Sequence, residues 1–77
     1  MELERFSGKE IDELIEKIID ICLTKSLMDK RFSYLVYDLR EIKRYRRLKD
    51  KKRMLKKFLE QNKFLSKELN INGGNGG

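Results

Sequence analysis

Apolar residues recur along this chain at helical spacing, and no stretch alternates with the period of two that a strand requires. Ile11, Leu14, Ile15, Ile18, Ile19 and Cys22 follow one another at short helical steps, so they share one face. Just ahead of them, Ser7-Gly8-Lys9-Glu10 has the form of a capping box, in which Ser7 and Glu10 satisfy each other's backbone amides. Phe6 and Ile11 flank the box at the spacing of a hydrophobic staple. The pattern predicts a first helix over about 9–23.

Thr24-Lys25-Ser26 interrupts the stripe. Ser26 reads as the N-cap of a second helix, with Asp29 favourable in its first turn. Met28, Phe32, Leu35, Val36, Leu39 and Ile42 form its stripe, predicting a helix over 27–47. A third stripe, Leu55, Phe58, Leu59, Asn62, Leu65 and Leu69, lies roughly 140° around from the second at helical periodicity. One straight helix would bury nearly opposite sides in its two halves. A corner near Lys49-Asp50, with Asp50 as N-cap, lets both stripes face one core and places a third helix over 51–69. The rival is one continuous helix whose halves contact different partners.

The expected fold is therefore all-α. It is a small three-helix domain over 1–69, or a helical hairpin with a shorter N-terminal helix. A disordered, polar Gly/Asn tail is expected over 70–77. The tail's Gly-Gly end does not suggest a ubiquitin-like modifier, because the strand pattern of that fold is missing.

Composition narrows the chemistry. The chain has 77 residues, one Cys and no His, Pro, Trp or Ala. A Cys/His zinc site, a His-based triad and a disulfide framework are all excluded. No Gly-rich loop joins a strand to a helix, so no cofactor is expected. The carboxylate pairs Asp12/Glu16 and Glu13/Glu16 share a helix face without any sign of a cleft, which reads as a solvated face. An enzyme is the least supported class. A lone thiol suggests a reducing intracellular setting, cytoplasmic by default. Abundant Lys, Ile, Leu and Asn with no Ala suggests an AT-rich genome. No apolar stretch is long enough to span a bilayer. A core this small leaves room for a homo-oligomer.

Charge distribution changes the picture more. Net charge is +6, but residues 1–24 carry seven acids against three bases, whereas residues 25–77 carry six acids against sixteen bases. Between Arg40 and Lys57 eleven bases face only Glu41 and Asp50. Such a block suits phosphate binding, in which Lys and Arg displace counterions condensed on nucleic acid. Arg40, Lys43, Arg44, Arg46, Arg47, Lys49, Lys52, Arg53 and Lys56 are the candidate phosphate contacts. Tyr45, inside the block, is a candidate for stacking on an unpaired base. Tyr34 and Tyr37 fit the edge of the core better, and Cys22 fits a small buried hydrophobe.

The expected partner is nucleic acid, DNA or RNA, with an acidic protein as the alternative, bound by a helical interaction module. In that second reading the basic face balances acids within the fold or across a dimer. A membrane surface is disfavoured, because the bases run all round the helix rather than along one polar face.

Two resemblances are limited. The run Lys51-Lys52-Arg53-Met54-Leu55-Lys56-Lys57-Phe58-Leu59 resembles helical RNA-binding proteins of the small ribosomal subunit, over under a fifth of the chain. The stretch from Asp29 to Lys43 is faintly similar to part of the helical chorismate mutase pattern. That family also needs an Arg inside its first long helix, and none lies between Glu10 and Leu23. Its activity is not carried over, and no family is recognised.

Overall fold

A computed structural model describes residues 3–65. The end of the expected third helix and the Gly/Asn tail lie outside the described residues. Within them the fold is all-helical: a 3-10 turn at Leu3–Arg5, then α1 (Gly8–Ser26), α2 (Arg31–Lys43) and α3 (Leu48–Gln61).

α1 begins as its sequence dictates. The Ser7 Oγ accepts from the Glu10 amide at 3.2 Å, and the Ser7 amide donates to Glu10 Oε1 at 2.8 Å. Both arms of the capping box are therefore closed. Phe6, at the staple position, packs against the core to which the fully buried Ile11 belongs. At 19 residues α1 is the longest helix, against 13 in α2 and 14 in α3, so the hairpin with a shorter first helix is not formed.

The reason lies at the end of α1. Ser26 was expected to cap the second helix, yet its Oγ donates backward to the Leu23 carbonyl at 2.7 Å. Thr24 does the same toward the Asp20 carbonyl at 3.0 Å. These hydroxyls serve carbonyls of their own helix, and α1 runs on through them. Leu27 and Met28 then fall in the turn between helices, not in the second stripe, and Met28 is 93% exposed. Lys30 is the N-cap of α2 without a side-chain cap bond, and Asp29 just before it accepts from the Arg31 amide at 3.0 Å and meets the Arg31 guanidinium at 2.6 Å. Those hydrogen bonds hold the Asp29 carboxyl below its ordinary range and push the Arg31 guanidinium up.

Helices two and three are separate, and the corner falls earlier than Lys49-Asp50. The Arg44 and Tyr45 amides donate to the Glu41 and Ile42 carbonyls, each at 3.1 Å, tightening the last turn of α2. Arg47 is extended (φ −88°, ψ 130°), and its carbonyl receives the Asp50 and Lys51 amides, so it is the N-cap of α3. Asp50 sits inside the first turn instead, where its charge favours the positive end of the helix dipole. Without Gly or Pro, the corner forms because it brings Leu48 and Leu55 to the core that α2 already lines.

α3 ends at Gln61. Asn62 leaves helical geometry (φ −129°, ψ 60°), and its side-chain amide donates to the Phe58 carbonyl at 2.9 Å. This half-buried Asn therefore binds its own helix. Leu65, just beyond, is fully buried.

Ile11, Ile15, Ile18 and Cys22 of α1, Leu39 of α2 and Leu55 of α3 are the wholly buried centre of the three-helix core. Each large aliphatic side chain placed there stabilises the fold by about 1.5–3 kcal/mol. Phe32 and Phe64 meet edge to face, with centroids 5.6 Å apart, and close the far end.

Candidate nucleic-acid interface

The basic segment 40–57 spans the last turn of α2, the corner, and most of α3. Packing divides its eleven bases into three lysines with partners in the N-terminal part of the chain and eight exposed side chains. Lys43, Lys51 and Lys52 are half-buried, and each is engaged by the N-terminal part of the chain. Lys43 Nζ donates to Glu16, Lys51 Nζ to Asp12 Oδ1 at 2.8 Å, and Lys52 Nζ to the Glu4 carbonyl at 2.9 Å. The other eight, which include all five arginines, are exposed.

Of the candidate contacts, the structure thus brings Arg40, Arg44, Arg46, Arg47, Lys49, Arg53 and Lys56 to the surface, and gives Lys43 and Lys52 internal partners. Arg44 reaches Glu41 at 3.4 Å and Arg53 reaches Asp50 at 3.3 Å, both on their own helix. Pairs this long and exposed are weak. Among the described residues, no ion pair engages Arg40, Arg46 or Arg47.

Two α1 carboxylates taken as a solvated face have structural partners. Asp12 and Glu16, one helical turn apart, each meet a lysine of the basic segment. The α1 side chains Glu13, Lys17 and Asp20 stay exposed beside them. Neutralisation by α1 is real but partial, as the charge count implied. The i, i+4 spacing of Asp12 and Glu16 was the available signal; which lysines they meet depends on how α1 docks.

Tyr45 stands at the corner, 38% exposed, and Tyr34 and Tyr37 project from α2 rather than joining the core edge. Tyr45 belongs to a groove between α2 and α3 of about 330 Å³. Asp38, Glu41 and Ile42 line one wall, and Met54, Lys57, Phe58 and Gln61 the other. This groove had no counterpart in the sequence reading. A second pocket of about 350 Å³ lies at the opposite end of α2, lined by Phe32, Leu35 and Phe64, with Asp29, Arg31 and Asn62 around them.

Cys22 is fully buried, and burial pushes its thiol up, with Lys25 opposing weakly. Among the described residues no group of three or more His, Cys, Asp or Glu is placed to hold a metal ion, and no helix is long and apolar enough to cross a membrane. Compared with protein-family models, with curated proteins and with solved structures, the chain matches none.

Proposed function

We propose that this protein is a small, non-enzymatic nucleic-acid-binding protein that contacts phosphates through its α2–α3 corner. One observation carries the reading: the five arginines of the basic segment are all exposed, and among the described residues Arg40, Arg46 and Arg47 make no ion pair. Guanidinium groups match phosphate oxygens with two parallel donors, which an ammonium does not. The contacts with the N-terminal part of the chain fall on lysines, and Arg44 and Arg53 hold only long, exposed i, i+3 pairs, so the arginine field remains available to a polyanion.

The test is a titration of labelled DNA and RNA at several salt concentrations. Five phosphate contacts predict a log–log slope of about −3.5 for a single strand and about −4.5 for a duplex. Affinity then falls by about a hundredfold or more between about 50 mM and 200 mM salt. Reversing Arg44, Arg46 and Arg47 to Glu abolishes the binding while the helical circular dichroism stays. A salt-independent interaction, or none at low salt, sinks the reading.

A second reading, a helical protein-interaction module, is favoured by the turn between α1 and α2. Leu27 and Met28 there are 85% and 93% exposed. Apolar side chains so bare suit an intermolecular contact. Sedimentation of the Leu27→Ser/Met28→Ser pair separates the two readings. Changed assembly with unchanged nucleic-acid binding supports this second one.

A further inference from the structure

We infer that the groove between α2 and α3 receives one unstacked nucleobase, so that the ligand of this surface is a single-stranded nucleic acid, and that amino-bearing bases are preferred over thymine or uracil. The inference rests on the nucleic-acid reading above and gives it a substrate class.

The groove adjoins the arginine corner and differs from it in chemistry. Tyr45 joins the two: it lines the groove while its neighbours Arg44, Arg46 and Arg47 face solvent. The buried Ile42 and Phe58 and the half-buried Met54 provide an apolar floor. A volume of about 330 Å³ lies at the small end of ligand sites, which suits one planar ring rather than an extended chain. A base inside a duplex stack cannot enter a recess between two helices. An unpaired base can swing out of the strand, present its face to Tyr45 and leave its phosphates among the arginines.

The polar groups of the groove point to the edge that is read. Asp38 and Glu41 are carboxylates, which repel a phosphate and accept hydrogen bonds. They turn a phosphate away from the α2 wall, toward Lys57 and the arginine cluster, and favour a base carrying an exocyclic amino group against that wall. Cytosine N4, adenine N6 and guanine N2 are such donors. Thymine and uracil offer a single N3–H donor flanked by the carbonyl oxygens at their 2- and 4-positions, so a carboxylate that accepts from it also meets those oxygens unfavourably. Gln61 at the other wall carries both donor and acceptor.

The surrounding helix surface agrees with this placement. At about 100° per residue, Tyr34, Asp38 and Glu41 fall on one strip of α2, with Tyr37 on its flank, and Tyr45 follows just beyond the helix end. A strand leaving the groove along α2 therefore meets the exposed rings of Tyr37 and Tyr34, with the arginines of the corner behind it.

The experiment compares oligo(dC), oligo(dT), their ribonucleotide equivalents and a duplex, each about twelve nucleotides long, by anisotropy at one salt concentration. The expected result is single strand over duplex by about tenfold, and cytosine over thymine by about fivefold. Tyr45→Leu, which keeps an apolar side chain but removes the ring, weakens single-strand binding by about tenfold and leaves the salt slope unchanged. Tyr45→Phe restores it. Asp38→Ala with Glu41→Ala raises affinity generally but erases the cytosine preference. RNA and DNA arms that agree place recognition on the base; arms that differ add a contact to the ribose without moving the base from the groove. Equal binding of duplex and single strand, with a silent Tyr45→Leu, overturns this inference and leaves the phosphate reading standing. Binding to none of the oligonucleotides removes both.

Discussion

Cys22 shows how one side chain's surroundings decide its chemistry. It is wholly buried on α1, and desolvation raises its thiol. A thiolate reagent should therefore leave the native protein untouched near neutral pH and label it on unfolding. The raised folded-state value also sets a sign for stability. The folded state holds the proton more tightly, so the contribution is complete below the unfolded value of about 8.5 and falls as pH rises through the folded one. Urea denaturation at about pH 7.5 and about pH 9.5 should show a larger loss in the native protein than in Cys22→Ala. Leu39 is the matching case for packing alone. It is fully buried on α2, and Leu39→Ala should cost about 2–5 kcal/mol in chemical denaturation, through lost transfer and the cavity left behind.

Helix α1 offers the clearest local experiments. Ser7→Ala removes an acceptor that a first-turn amide now uses, and should destabilise by about 1 kcal/mol. Gly8 has no unusual backbone angle, and a Cβ there meets nothing within 4 Å. Gly8→Ala should therefore raise stability by about 0.4–1 kcal/mol in the same melts, mainly by restricting the unfolded chain. The tie between Lys51 and Asp12 joins α1 to α3, and the lysine side chain is only 15% exposed. A double-mutant cycle with Lys51→Met and Asp12→Asn should return a coupling of about 1 kcal/mol or less, shrinking with added salt. The helix faces themselves were legible in the sequence, because a 3.6-residue period survives in every stripe. Their ends were legible only where the signal had one meaning. Ser7 and Glu10 can pair in just one way, whereas the Ser26 hydroxyl can serve either the helix before it or the helix after. The corner was placed two or three residues late because no residue type marks it. Arg47 adopts an extended backbone to satisfy the core, not its own preference.

Across the whole molecule, a chain of this size is held by about 4–12 kcal/mol in all, so the Leu39→Ala loss alone removes much of the margin. Charge follows a division that composition hides. Three lysines of the basic segment face inward to the N-terminal acids and backbone, while its arginines face outward. The run of bases from Arg40 to Lys57 was legible in the sequence, since such a run stays together in any helical fold. It did not separate anchoring cations from displayed ones, because that depends on which carboxylates the docking of α1 brings near. It also missed the groove, whose walls come from α2 and α3 and exist only once the corner has formed. The division has a covalent consequence. An acylating reagent consumes amines and ignores guanidinium groups, so it should modify Lys49, Lys56 and Lys57 first and Lys51 last. The moment at which Lys51 becomes acylated then reports α1 lifting away from α3, and a mass spectrum can follow that event with the arginine surface chemically intact.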